Sequence, residues 1–179
     1  MKTSREARTK PNILVTGVPG TGKSTLAPKI AEKCSLKFMD INKMILDYKL
    51  HSGYDNEYKS FILDEDKLLD HLEEYFDDLN SDGGLVIDYH ACDFFPERWF
   101  DYVIVLRCDN TQLYDRLKTR NYSEKKLRDN IECEIFGTIA EEAEDAYKEG
   151  IVHQLQNSLP GDLEKNLEMV AELVTKFKP

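Results

Sequence analysis

The chain has no apolar run approaching the ~20 residues that a membrane-spanning helix needs. Its opening residues, Met1 to Lys10, carry Lys2, Arg5, Arg8 and Lys10 where an export signal has its apolar core. A soluble protein with a flexible basic tail over residues 1–10 is expected, and the loose spacing of those charges favours a disordered tail over a nuclear address. Cysteine is sparse. Cys34, Cys92, Cys108 and Cys133 form no C-x-x-C pair, so reduced thiols are expected and no spacing favours zinc. Internal repeats and low-complexity tracts are absent, which removes solenoids and linkers from consideration. An excess of positive charge is missing too: 24 Lys and Arg stand against 34 Asp and Glu, a net charge of −10. That balance disfavours binding along a nucleic-acid backbone, and it suits either a solvated acidic surface or a basic protein partner.

What is present is one domain's worth of chain. At 179 residues and 41% hydrophobic content, a single core over residues 11–179 is expected. Short apolar runs at Ile13–Val15, Lys37–Met39, Leu85–Ile87, Tyr102–Leu106 and Ile151–Val152 with Leu155 alternate with longer amphipathic stretches. That alternation predicts an α/β fold, a parallel sheet covered by helices, with ligands gathering at the carboxyl ends of the strands. Two segments read as insertions. Ile41 to Asn80 holds a turn-like Ser52-Gly53-Tyr54-Asp55-Asn56, then Asp64-Glu65-Asp66 opening a helix whose apolar stripe is Leu68, Leu69, Leu72, Tyr75 and Phe76. Thr119 to Asp129 is short, polar and charged, and has the length of a flap between two helices.

Gly17-Val18-Pro19-Gly20-Thr21-Gly22-Lys23-Ser24 is a complete G-x-x-x-x-G-K-[ST] phosphate-binding loop. The context agrees, because Ile13-Leu14-Val15 reads as a buried strand and Leu26, Ile30 and Ala31 recur at helical spacing beyond it. Pro28 is placed in the first turns of that helix, where its missing N–H matters least. The glycines let the backbone curl with its N–H groups inward around phosphate oxygens, Lys23 reaches the β- and γ-phosphates, and Thr25 adds a contact. Ser24 offers Mg²⁺ a hydroxyl oxygen, and Asp88, at the end of the Leu85 strand, supplies the second magnesium anchor of such enzymes. His90 either orients an attacking water or serves as a hydrogen-bonding structural group. Arg116 and Arg120, at i and i+4 on a helix starting near Thr111, share one face at the edge of the flap. They either clamp the transferring phosphoryl group or pair with Asp115 and Glu124. Arg98 either faces a second nucleotide or forms a surface ion pair with Glu97 or Asp101. Asn42-Lys43-Met44-Ile45 lacks the Asp of a guanine-reading N-K-x-D. Shikimate and gluconate kinases share the loop and the size, but they leave the acidic insertion without a role.

Taken together, Pro11-Asn12-Ile13, Gly53-Tyr54-Asp55, Ile62-Leu63-Asp64-Glu65-Asp66, Asp88-Tyr89-His90, Phe95-Pro96-Glu97-Arg98 and Ile151-Val152-His153-Gln154-Leu155 resemble the adenylate kinase isoenzyme 6 family, the coilin-interacting nuclear ATPases. The likeness runs from about Pro11 nearly to the C-terminus. It implies a P-loop NTPase of the nucleoside-monophosphate-kinase type: three α/β/α layers, a five-stranded parallel sheet, a monophosphate-binding insert over residues 40–63 and a short lid over 119–129. It also implies ATP with Mg²⁺; Gly20, Gly22, Lys23, Ser24, Thr25 and Arg120 at the ATP; and Asp88 with His90 as the acidic strand-end motif. The acceptor it implies is AMP, or dAMP or CMP, and the activity a kinase with accompanying ATPase. The partner it implies is a basic small-subunit ribosomal protein during subunit maturation, with a monomer residing in nucleus and cytoplasm. Two positions depart from the pattern. Leu46 stands where some relatives place a basic side chain against the AMP phosphate, leaving Lys43, Lys49 or Arg98 to supply that charge. Ala91 stands where relatives can carry glycine.

Overall fold

The structure is a computed structural model that describes residues 8–78 and 82–178. Five parallel strands form its sheet in the order β2-β5-β1-β6-β7: β1 Ile13–Thr16, β2 Lys37–Met39, β5 Leu85–Asp88, β6 Tyr102–Arg107 and β7 Val152–Gln156. Alternation along the strands sorts the core into two faces. Leu14, Ile87, Val103 and Val105 pack on one side with α2 (Ile41–Asp47), α3 (Glu65–Phe76) and α6 (Thr138–Ala146). Ile13, Val15, Val86, Ile104 and Leu106 pack on the other with α1 (Lys23–Cys34) and α7 (Asp162–Lys176). A third, smaller core of Val18, Cys108, Leu113 and Leu117 lies under α4 (Asn110–Lys118), where Tyr122, Leu127 and Ile131 extend it toward α5 (Glu124–Phe136).

The five expected strands and the α/β/α layering are all found. Helix starts follow the capping chemistry of the sequence. Asp40 caps α2, Asp64 caps α3, Asp109 caps α4 and Ser123 caps α5, each side-chain oxygen accepting a backbone N–H of the first turn. Leu68, Leu72 and Phe76 form the buried stripe of α3, with Leu69 and Tyr75 half-buried beside it.

Five expectations need correction. The turn-like segment at residues 52–56 is mostly strand: β3 (His51–Asp55) pairs antiparallel with β4 (Ser60–Leu63) in a separate two-stranded hairpin, and only the residues between them turn. Pro28 sits in the second turn of α1, so the carbonyl of Ser24, four residues back, receives no N–H from it. The expected lid is mostly helix, since α5 begins at Glu124 and leaves only Thr119–Ser123 irregular. Arg120 lies outside the helix proper, because α4 ends at Lys118.

The basic tail is the fifth. Residues 1–7 lie outside the described residues, but Arg8 is only 2% exposed. Its guanidinium donates to Asp101 at 2.9 Å, to the Trp99 carbonyl at 3.0 Å and to the Arg98 carbonyl. Asn12 completes the network: its backbone N–H also donates to Asp101, and its side chain bridges the Trp99 carbonyl and the Leu85 N–H. These polar groups cross-link β1, β5 and the start of β6 at the amino ends of the strands. Removing one member of a buried charged pair costs more than the pair contributes. Arg8→Ala is therefore expected to lower unfolding free energy by about 3 kcal/mol, measured by urea denaturation, and Asp101→Asn introduced into Arg8→Ala should recover part of the loss. An Arg8→Ala midpoint equal to that of the parent would show the network to be inert.

Candidate functional site

At the carboxyl ends of β1 and β5 the loop Gly17–Gly22 leads into α1. Two of its glycines are required by space as well as by backbone angle. A Cβ at Gly17, where φ is 139°, would stand 2.6 Å from the Leu106 carbonyl oxygen, and a Cβ at Gly22, where φ is 103°, would stand 2.4 Å from the Asn157 amide nitrogen. The loop borders a cleft of about 570 Å³. Gly20, Gly22, Lys23, Ser24, Thr25, Asp88, His90 and Arg120 all line it, so eight of the residues singled out from sequence converge on one space.

Lys23 folds back over the loop and donates to the carbonyls of Gly17 at 2.8 Å and Val18 at 3.1 Å. Burial lowers its pKa to about 8, with Arg120 adding to the fall and Asp88 opposing it. The Ser24 hydroxyl donates to Asp88 at 2.9 Å. Burial raises the pKa of Asp88, while that bond and the charge of Lys23 hold it down. Two hard oxygens thus stand together at the foot of the phosphate loop, the donor chemistry Mg²⁺ prefers. His90 keeps water-accessible surface, but that surface faces the cleft. Enclosure there, together with the charges of Lys23 and Lys126, pushes its pKa down to about 4, so the imidazole is neutral at physiological pH.

Two arginines do not take the positions expected of them. Arg116 is turned onto backbone: it donates to the carbonyls of Gly20 at 3.2 Å, Asn157 at 2.9 Å and Ser158 at 2.8 Å. With its nitrogens so engaged it braces the loop from outside and borders a second, shallower hollow next to the cleft, shared by Gly20, Thr25 and Arg120. Arg98 pairs with Asp77 at 2.6 Å beside Trp99, at the amino ends of the strands and so on the far side of the sheet from the site. It faces no second nucleotide. Its ion-pair partners are Asp77 and Glu73, not Glu97 or Asp101.

The acceptor side of the cleft is walled by Asn42 of α2, by Asp55, Tyr58, Ser60, Phe61 and Ile62 of the hairpin, and by Lys126, Asp129 and Asn130 of α5. Leu46 is 51% exposed and lines neither hollow, and the same is true of Lys43 and Lys49 as lining residues. The cation that does enter this side is Lys126. Sequence reasoning passed over it because it lies in a polar helix start with no motif around it. Asn157 was missed too. It follows β7, donates to the Thr21 carbonyl at 2.7 Å and occupies the space that Gly22 leaves by lacking a Cβ. No sequence pattern marks a residue 136 positions away as part of the phosphate loop. Behind the site, Glu134 of α5 accepts from Arg107 at 2.7 Å and from the Cys108 N–H at 3.0 Å, fixing the C-terminal end of α5 to the end of β6.

An AAA domain family matches residues 13–137. Over 173 residues the chain is 53% identical to an adenylate kinase isoenzyme 6 homolog of Caenorhabditis elegans, spanning 97% of this chain and 94% of that one. It is 52% identical to the Drosophila melanogaster homolog, spanning 97% of each, and 41% identical over 161 residues to the Saccharomyces cerevisiae homolog, spanning 89% and 80%. Among solved structures, shikimate kinase from Bacteroides thetaiotaomicron superposes with a TM-score of 0.64 at 18% identity, covering 93% of this chain and 99% of that one. A gluconokinase from Sinorhizobium meliloti gives 0.57 at 20%, covering 94% and 95%. At those identities the likeness is one of fold, a P-loop kinase fold. Identity above half, sustained over nearly the whole of both chains, goes well beyond a shared loop: the chain carries an AAA domain and belongs to the adenylate kinase isoenzyme 6 family.

Proposed function

We propose that the protein moves the γ-phosphoryl group of ATP to AMP or a related monophosphate such as dAMP or CMP, and releases inorganic phosphate when water takes the acceptor's place. The observation that carries this reading is one continuous cleft with a phosphate cradle at one end and a polar wall from α2, the hairpin and α5 at the other. In-line transfer needs both partners in one space. The bond from the γ-phosphorus to the β-bridging oxygen breaks as a bond to an acceptor phosphate oxygen forms, and ADP leaves on each side. Inward N–H groups of the loop bind the donor phosphates, and Lys23 transfers its hydrogen bonds from loop carbonyls to phosphate oxygens. Arg120 and Lys126, both in contact with Tyr122, bring positive charge to the cleft, Lys126 supplying the acceptor-side cation that Leu46 lacks. Ser24 and Asp88 would hold Mg²⁺, which neutralises charge on the β- and γ-oxygens when bound. His90, neutral and cleft-facing, is suited to accepting a hydrogen bond from water in the hydrolytic reaction.

ADP and inorganic phosphate measured separately, with and without AMP, test the reading directly. AMP should raise ADP formation while lowering the share of turnover that ends as phosphate. ADP formation that ignores AMP, CMP and dAMP would falsify it. His90→Ala is expected to slow hydrolysis by about 10²-fold and to slow transfer far less; equal loss in both assays would assign His90 to the shared scaffold.

The depressed Lys23 pKa has a pH consequence with a definite sign. Bound phosphate raises that pKa, so from this group nucleotide affinity is flat below pH 8 and weakens above it, by up to about tenfold per pH unit. Calorimetric ADP titrations between pH 7 and 10 should show that slope, and Lys23→Met should abolish it.

A second reading is favoured by the net charge of −10, which suits a basic protein partner. In it the protein is an ATP-dependent assembly factor for a small-subunit ribosomal protein, working in nucleus and cytoplasm. Pull-down of such a protein should then differ among ATP, ADP and nucleotide-free states, and identical capture in all three would remove the switch.

A further inference from the structure

The helix α5 carries Leu127, Ile131, Ile135 and Phe136, yet the one fully buried residue among its 13 is Glu134. Leu127 and Ile131 are half-buried over the small third core, while Ile135 is 54% exposed and Phe136 76%. A helix of a folded domain hides its apolar stripe against a neighbour. Here the stripe Leu127, Ile131 and Ile135, at i, i+4 and i+8, lies with Tyr114 of α4 along an open groove of about 500 Å³. Lys126, Asp129 and Asn130 line the nucleotide cleft from another face of the same helix, so groove and cleft are separate.

Three exposed charges edge the groove: Glu124, Arg128 and Glu132, again at i, i+4 and i+8. None of them is ion-paired among the described residues. Their order of acid, base, acid restricts the occupant. A basic segment would meet Arg128 in the middle of the groove, and an acidic one would meet Glu124 and Glu132. A second copy laid antiparallel meets neither obstacle. About a two-fold axis level with residue 130, Arg128 of each copy stands opposite Glu132 of the other. In that register Leu127 of each copy enters the gap between Ile131 and Ile135 of the other. A parallel pairing would set Arg128 on Arg128 and Glu132 on Glu132.

We propose that the α4–α5 groove is a self-association surface, through which two copies of this chain pair by antiparallel α5 helices in place of the monomer that the family likeness implies. Apolar contact supplies the attraction, and two reciprocal ion pairs fix direction and register. The net charge of −10 on each copy opposes approach, but charges more than about 8 Å apart are largely screened at physiological ionic strength. One helix face is small for an interface, so the dimer is reversible and forms at high concentration.

Sedimentation velocity of the full chain between about 1 and 500 μM should show the average mass climbing from monomer toward dimer. Arg128→Glu and Glu132→Arg each set like charges opposite one another at both ion-pair positions, and each should raise the dissociation constant at least about tenfold. An equimolar mixture of these two variants opposes acid to base again and should dimerise as the parent does, which a misfolded variant could not do. Ile135→Asp removes an exposed apolar contact and should stay monomeric throughout. Unchanged ADP affinity by calorimetry checks that each variant keeps its fold, because none of the three positions borders the nucleotide cleft. A parent that stays monomeric at the highest concentration overturns the proposal, and a lysine-rich peptide that shifts the α5 amide resonances in that state would assign the groove to a basic partner. Dimerisation that neither charge reversal weakens, or a mixture that stays monomeric, overturns the pairing equally.

Discussion

A loop that turns its N–H groups inward to hold an anion must turn its carbonyls outward, and every one of those carbonyls then needs a donor. The structure finds donors for four of them from three parts of the chain. Lys23 serves Gly17 and Val18, and Thr21 serves Val18 through both its hydroxyl and its N–H. Arg116 of α4 serves Gly20, and Asn157 beyond β7 serves Thr21. Leaving buried carbonyls unmade costs roughly 1–3 kcal/mol each, so the cradle is stable only when β1, α4 and the end of β7 are assembled around it. The strand order places β1 in the middle of the sheet with β6 and β7 to one side, which is what allows residues after β7 to reach the loop.

This dependence explains what the sequence reveals and what it hides. The loop, its strand and its helix are contiguous, so period and motif identify them. Asp88 follows from its place at the end of an apolar strand, His90 from standing two residues beyond it and Arg120 from its spacing at the edge of the flap, and the family likeness agrees with all three. Asn157 and the bracing role of Arg116 are invisible because they act through contacts 136 and 96 residues away, from side chains that carry no periodic signal. Residues 52–56 read as a turn because Ser, Gly, Asp and Asn are turn-formers. In the structure the pairing with Ser60–Leu63 overrides that preference and holds most of them extended. Arg8 looks like tail chemistry, yet Asp101, the Trp99 carbonyl and Asn12 make a place for a buried guanidinium that composition alone gives no reason to expect.

Lys23 sits at the meeting point of these constraints. It donates to loop carbonyls, so its charge is compensated by dipoles and by Asp88 while burial works against it. Val18 keeps Thr21 as a donor if the lysine leaves, whereas among the donors named above the Gly17 carbonyl has Lys23. Phosphate therefore competes with a built-in acceptor for the same ammonium, and the net gain is the difference between an anion and a backbone dipole. That difference is large in a low-dielectric pocket, which favours a lysine held ready over one left in solvent.

The cleft's two walls are held by different kinds of force. On the donor side the supports are buried: Asn157, Asp88 and Glu134 are each under a tenth exposed and bonded to backbone or hydroxyl partners. On the acceptor side the hairpin forms its own two-stranded sheet, outside the five-stranded one, and carries exposed Tyr54, Phe61 and Ile62. Two strands without a buried face are marginal by themselves, so the hairpin takes its position from neighbours. α5 is the neighbour it touches through Tyr58 and Glu57. A cradle held by buried bonds to backbone and hydroxyl thus faces a wall that owes its place to a few polar contacts near solvent.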